Sequence, residues 1–285
     1  MKEQEINMLQ DPIIKIDKLG IHMYGLMIGI GIVCAFVSLY LIARYKKVES
    51  RFTDFIFYNG VASIVLGFGS AALFQAFYNF IENPSAGFRI GSGMTFIGGL
   101  IGGVVCFMAI YFIFRKKFKT RLYQVVSIIP SSILIGHAFG RIGCFFGGCC
   151  YGKETDSFIG VQFPHLDAPV HPTQLYEAAF LFVMFAVCTF LVLKLDFKHN
   201  LSLYLISYGV FRFLIEYVRG DDRGDLVGFI SPSQFWSIFM IAAGIGLIFL
   251  MNYFWKNAKE PVPVEGKSAK RKDEEPENIK NNEEN

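Results

Sequence analysis

Charged residues are scarce in this chain of 285 residues: they make up 18% of it, where an ordinary soluble domain carries about 25%. Many of those charges are confined to the last stretch, 257–285. With 53% hydrophobic and 16% aromatic residues and a mean hydropathy of +0.42, this deficit excludes a soluble globular domain. No secretory leader is expected. The first 20 residues carry acids and no apolar core, so they read as a short segment outside the membrane rather than a cleaved peptide. No tandem repeat is present, which argues against a solenoid. Nor is there a basic stripe: the net charge of +3 is dispersed over short loops, so it reports topology and excludes nucleic acid as a partner. The cysteines form neither a C-x-x-C redox pair nor a standard zinc spacing.

Long apolar runs are abundant. Windows near the 20 residues needed to span about 30 Å of hydrocarbon fall at about 23–43, 56–78, 94–114, 123–146, 173–193, 202–218 and 233–255. The expected fold is therefore an all-α polytopic membrane protein with seven transmembrane helices. The fourth window is interrupted by Pro130 and the Gly136/Gly140 pair, and the sixth is short and charged. Those two are expected to line a cavity rather than face lipid. The membrane domain covers 1–256, and 257–285, polar and poor in aromatics, reads as a disordered tail.

Basic residues set the orientation. Arg44, Lys46, Lys47 and Arg51 follow the first span, Arg115, Lys116, Lys117, Lys119 and Arg121 the third, Lys194 and Lys198 the fifth, and Lys256 and Lys259 the seventh. The alternate loops are poor in unpaired basic residues. This pattern predicts an N-terminus outside and a C-terminus in the cytoplasm.

Polar groups then converge on the outer side. His137–Gly152, HAFGRIGCFFGGCCYG, places Arg141 inside an apolar span among glycines. A charge there is costly unless paired or bound to ligand, so Arg141 marks a functional site by default. Tyr24 opens the first span and reads equally as an interfacial aromatic anchor. Gln174 and Glu177, just inside the fifth span after His171-Pro172, suit either helix-end electrostatics or contact with a partner element. Tyr208, Arg212, Glu216 and Arg219 follow at i, i+4, i+8 and i+11, on one helical face. Arg212 and Glu216 can pair within the helix, giving either a structural ion pair or part of a site. Arg141, Arg212 and Arg219 outnumber Glu177 and Glu216, and surplus guanidinium suits a phosphate, hence a phospholipid in this setting.

Cys34, Cys106 and Cys188 lie mid-span and read as small hydrophobes. Cys144, Cys149 and Cys150 form C-x4-C-C in the glycine-rich outer segment. A metal site with His137, His165 or His171, a disulfide from Cys144 to Cys149 or Cys150, and a reactive thiol all remain open; no metal or cofactor is expected from the spacing.

Five motifs, in order and on the right spans, carry a family resemblance. They are Tyr24-Gly25, S-G-M-T-F-x-G-G at 92–99 with Gly98 and Gly99, G-R-I-G at 140–143 with Gly152, H-P-T-Q-L-Y-E at 171–177, and Y-G-x-F-R-x-x-x-E at 208–216. Over about residues 12–256 the chain resembles the bacterial prolipoprotein diacylglyceryl transferases. The resemblance implies a multi-pass protein of the bacterial cytoplasmic (inner) membrane. It implies transfer of diacylglycerol from phosphatidylglycerol to the lipobox cysteine thiol of a prolipoprotein, with release of glycerol phosphate. By the same resemblance Arg141 contacts the lipid headgroup, and Tyr24, Tyr208, Arg212 and Glu216 serve activity or gating. Arg219 and the acidic turn after it match an outer-face charged segment; Gly98, Gly99 and Gly152 are carried over as substrate-binding positions.

The family pattern G-R-x-G-N-F-x-N-x-E-x-x-G has Cys144, Gly147 and Cys149 where it keeps Asn, Asn and Glu. The histidine proposed as base in F-H-G-G is Ile97 here. Isoleucine cannot take a proton, which leaves His137, one turn before Arg141, or activation of the thiol by the arginine field. A non-catalytic lipid-binding relative, or a membrane thiol–disulfide protein using the three outer cysteines, are the alternatives.

Overall fold

The computed structural model describes residues 14–16, 19–91, 93–220 and 231–257, and within them all seven apolar windows are helices. A short antiparallel pair, β1 (Ile14–Ile16) and β2 (Leu19–Ile21), leads into the bundle. The spans are α1 (Met23–Tyr45), α2 (Ser50–Glu82), α3 (Phe96–Phe114), α4 (Ile129–Phe146), α5 (Thr173–Leu195), α6 (Asn200–Ile215) and α7 (Pro232–Asn257). Ser92, Asp221, Asp222 and, apart from Asn257, the expected tail at 257–285 lie outside the described residues.

Local chemistry explains where the elements stop. Pro130 does not interrupt the fourth span but starts it: α4 begins at Ile129 with proline in its first turn, where a missing N–H costs nothing. The residues before it form a separate turn of helix, Leu122–Val125. α2 has 33 residues and is about 50 Å long. That exceeds the hydrocarbon thickness, so it tilts or projects beyond it.

The helices associate through small residues. Lipid is as apolar as leucine, so close backbone approach takes over from hydrophobic burial as the driving force. A Cβ on Gly31 would lie 2.9 Å from the Gly136 carbonyl, which locates the α1–α4 crossing. Gly67 packs against Gly99 and Gly103 in the same way between α2 and α3, where Ser70 Oγ also donates to the Gly98 carbonyl at 2.9 Å. Gly209 and Gly244 seat α6 on α7, against Ser237–Ile241 and Ser202–Ile206 respectively.

Two clusters divide the bundle by height. At one end Leu39, Ile42, Phe52, Ile56, Tyr111, Val125 and Val192 tie α1, α2, α3 and α5 together. The basic loops meet there: Lys46 pairs with Asp196, and the Glu49 carboxylate accepts the backbone N–H groups of Lys119 and Thr120, each at 3.1 Å. The other cluster, Leu134, Ala138, Leu181, Met184, Cys188, Tyr204 and Tyr208, joins α4, α5 and α6. It forms the floor under Arg141.

Candidate active site

Arithmetic on the helices brings three polar side chains to one depth. Arg141 lies five residues before the end of α4, Glu177 four residues after the start of α5, and Tyr208 seven before the end of α6. At 1.5 Å per residue all three sit about 6–10 Å inside the same end of the bundle. They are in contact. Arg141 Nε pairs with Glu177 Oε1 at 2.9 Å, and Tyr208 donates its hydroxyl proton to the same oxygen at 2.6 Å. Arg141 Nη2 donates to the Tyr208 hydroxyl at 3.4 Å.

His137 completes the group. Its Nε2 is 3.4 Å from the Tyr208 hydroxyl and 3.8 Å from Glu177 Oε1, and its ring stands edge-on to Tyr208 with centroids 4.9 Å apart. Tyr208 has one proton and directs it at Glu177, so His137 faces the tyrosine oxygen with Nε2–H. The lone pair of a neutral His137 then resides on Nδ1, on the far side of the ring. Glu177 is 1% exposed, and a buried carboxylate needs this number of donors.

The other charged residues of the sixth span make their direct contacts beside this group, and Arg212 still feels the Glu177 charge. α6 stops at Ile215 and a tighter turn, Glu216–Val218, follows, so the single face expected for Tyr208, Arg212, Glu216 and Arg219 divides. Arg212 pairs with Glu216 as the i, i+4 spacing predicts, Nη1 to Oε2 at 3.1 Å, and Arg219 Nε approaches the same oxygen at 3.6 Å. The start of α7 closes this second group: Ser231 donates to Glu216 Oε1 at 2.9 Å and Arg212 Nη2 donates to Ser233 Oγ at 2.8 Å.

Gly152 is where three segments cross. Its N–H donates to the His171 carbonyl at 2.8 Å, and it bridges to Arg219. A Cβ there would fall 2.7 Å from His171 Cβ and 2.8 Å from the Val218 carbonyl. The glycine thus lets the loop after α4 lie directly on the start of α5 and the end of α6. Beside it, Thr173 Oγ1 donates to the Cys150 carbonyl at 2.7 Å and Gln174 Nε2 to the Cys149 carbonyl at 2.6 Å. The sulfurs of Cys144, Cys149 and Cys150 lie within 4.8 Å of one another. Hydrogen bonds from the Cys144 and Cys149 thiols, with Arg219 adjacent, hold the Cys150 thiol below the ordinary cysteine range.

Tyr24 is half exposed at the start of α1, with its ring against the Gly143 and Gly147 positions just beyond Arg141. Gly98 and Gly99 are placed differently. They line the α2–α3 seam, against Phe74 and Ala71, and Ile97 beside them is 40% exposed. Among the described residues, no hydrogen bond or ion pair joins that seam to the Arg141 group.

Glu177 is the residue that sequence reasoning under-rated. A carboxylate just inside a helix has a sufficient local explanation, and only its share in the H-P-T-Q-L-Y-E motif pointed to more. Ser231 and Ser233 carried no signal at all, because a serine at a helix start is ordinary capping chemistry.

Comparison with known proteins identifies the family. A family profile described as prolipoprotein diacylglyceryl transferase matches residues 12–250. A phosphatidylglycerol–prolipoprotein diacylglyceryl transferase of Clostridium tetani (strain Massachusetts / E88) is 34% identical over 247 residues, covering 84% of this chain and 96% of its own. One from Pseudoalteromonas translucida (strain TAC 125) is 35% identical over 269 residues, with 90% and 97% covered. A third, numbered 2, from Clostridium perfringens (strain 13 / Type A), is 32% identical over 238 residues, with 80% and 90% covered. A seven-helix membrane bundle, a profile match over most of its length and relatives at this identity lead to one conclusion: the chain belongs to the prolipoprotein diacylglyceryl transferase family.

Proposed function

We propose that this chain transfers the diacylglyceryl group of phosphatidylglycerol to the lipobox cysteine thiol of a prolipoprotein, in the bacterial inner membrane. The observation that carries this reading is the buried pairing of Arg141 with Glu177 and Tyr208 at one end of the bundle. In the reaction a carbon–sulfur bond forms at the diacylglyceryl carbon and the bond from that carbon to the phosphate oxygen breaks. The electron pair leaves with glycerol phosphate, and the thiol gives up its proton.

Negative charge develops on the departing phosphate, so fixed donors aimed there lower the barrier. Arg141 spends Nε on Glu177 and Nη2 on Tyr208, which leaves Nη1 for a phosphate oxygen. Arg212 and Arg219 supply further positive charge against the single carboxylate of Glu216. The proposed orientation has the N-terminus outside and the basic loops in the cytoplasm, so the site faces the outer side. Apolar helix walls admit the acyl chains from the bilayer.

The test is transfer of labelled diacylglyceryl from phosphatidylglycerol vesicles to a lipobox peptide, with rescue of a transferase-depleted strain as the cellular counterpart. Transfer by the intact chain and its loss in Arg141→Ala are expected. Lipid binding without transfer would identify a non-catalytic lipid-holding relative instead.

A further inference from the structure

The three outer cysteines lie within seven residues of one another, and the turn after α4 brings their sulfurs together. Gly147 N–H and Gly148 N–H cap the helix end on Gly143 and Phe145, and Cys149 N–H returns to the Cys144 carbonyl at 3.2 Å. Gly148 and Cys150 both take positive φ, +62° and +66°. For a cysteine that is a strained conformation, and two nearly fully buried side chains of α5, Thr173 and Gln174, hold it by binding the Cys150 and Cys149 carbonyls. Among the described residues, no side chain holds the Cys34 or Cys106 carbonyl in this way, and at Cys188 the one that does, Asn200, binds a carbonyl of ordinary helix.

The result has the dimensions of a thiolate metal site. A tetrahedral zinc ion with sulfurs at about 2.3 Å holds them about 3.8 Å apart. The three sulfurs here lie within 4.8 Å of one another, so closure on an ion requires shifts of an ångström or less. Thiolates select a soft or borderline cation over magnesium or calcium. Three thiolates on a divalent ion leave one surplus negative charge. Arg219, adjacent to Cys150, stands where that charge is compensated. Cys149 is exposed, which gives an ion a way in. Three protein ligands, with the fourth position left open, is the ligand count of catalytic rather than structural zinc.

We infer that Cys144, Cys149 and Cys150 bind one zinc ion through three thiolates, and that its fourth position takes the thiol of the acceptor cysteine. This rests on the transferase reading above. The acceptor thiol displaces a zinc-bound water and releases its proton to solvent; no electron is transferred. The bound sulfur then attacks the diacylglyceryl carbon, leaves the ion as a thioether, and water returns.

The full-length chain, reduced and desalted without oxygen, is assayed for zinc and then loaded with cobalt(II), whose thiolate charge-transfer absorption counts bound sulfurs. One equivalent of metal is expected, with a three-thiolate spectrum that grows by about a third when a lipobox peptide bearing cysteine is added. A peptide with serine in that place leaves it unchanged. Cys149→Ser loses metal at least tenfold, and Cys149→His, which keeps a ligand, retains it; both are checked for an unaltered melting temperature. Chelation slows transfer at least 100-fold, and zinc restores it. Failure to bind metal after reduction, or equal binding by the variant lacking all three thiols, overturns the inference. So does a cobalt spectrum blind to the peptide, or full transfer by the metal-free chain, and in that last case the transferase reading stands. Absence of transfer by the zinc-loaded chain overturns the transferase reading, while the cobalt spectrum still reports on the metal site.

Discussion

Replacing Glu177 by glutamine tests the centre of the site with little change of shape. The carboxylate is 1% exposed and accepts from Arg141 Nε at 2.9 Å and Tyr208 at 2.6 Å on one oxygen. An amide keeps one acceptor oxygen but removes the charge, and its NH2 adds two donors to a pocket already supplied by Arg141, Tyr208 and His137. Removing one partner of a buried ion pair costs about 3–5 kcal/mol, because the other charge stays buried and uncompensated. If about 3 kcal/mol of this reaches the barrier through a displaced guanidinium, transfer falls roughly 150-fold, each 1.36 kcal/mol being tenfold.

The double variant Glu177→Gln/Arg141→Gln separates charge pairing from mere crowding. Two residues in one pair are not additive. Each single variant should lower the melting temperature in detergent, and the double should recover part of the loss because no charge remains buried alone. Transfer stays low in all three, since the double also lacks the guanidinium. Transfer within threefold of the parent in Glu177→Gln at unchanged stability would refute the claim that this carboxylate holds Arg141. Stability losses that simply add would refute the pairing itself.

Tyr208→Phe keeps the ring on Tyr204 and His137 but loses the hydroxyl, so transfer should drop about 10–100-fold, for one to two charge-assisted hydrogen bonds, with little change in melting. Gly152→Ala places a methyl 2.8 Å from the Val218 carbonyl; both melting temperature and transfer should fall, and a neutral result would show that the 152–219 crossing is dispensable. Alkaline phosphatase fused after Gly160 should be active, and fused after Phe118 or Phe197 inactive; the reverse would invert the proposed orientation.

The seven spans were legible because a bilayer imposes one length and one composition on every crossing, and α1, α3, α5 and α7 follow their windows within a few residues. The Arg212–Glu216 pair was legible for the same kind of reason: i and i+4 meet on a helix wherever it lies. What the spacing could not convey was where a helix ends. The one-face reading of the sixth span assumed regular helix through Arg219, while α6 stops at Ile215, after which Glu216 meets Ser231 and Arg219 lies against Gly152 and Cys150. The glycines were ambiguous in a different sense. Gly98 and Gly99 have the composition of a ligand-approach site and of a helix seam alike, and only the opposing Phe74 and Ala71 show which contact they make. For Cys144, Cys149 and Cys150, the two left-handed residues that gather them have no signature beyond one glycine, Gly148.

The division of the charges changes what each arginine can do. Read along the chain, three arginines stand against two carboxylates as a single surplus. In the fold, Arg141 pairs directly with Glu177, while Arg212 and Arg219 make their direct contacts with Glu216 and Arg212 still feels the Glu177 charge. A balanced pair contributes little net attraction for an anion, but it holds its free N–H groups in a fixed direction, which is what stabilising a developing charge requires. An unbalanced group contributes attraction and tolerates looser geometry. Under the proposed transfer, Arg141 is suited to the leaving phosphate oxygen and the Arg212–Arg219 group to drawing the headgroup in. That separation also accounts for the two groups having separate supports, Glu177 and Tyr208 for the first, and the serines at the start of α7 for the second.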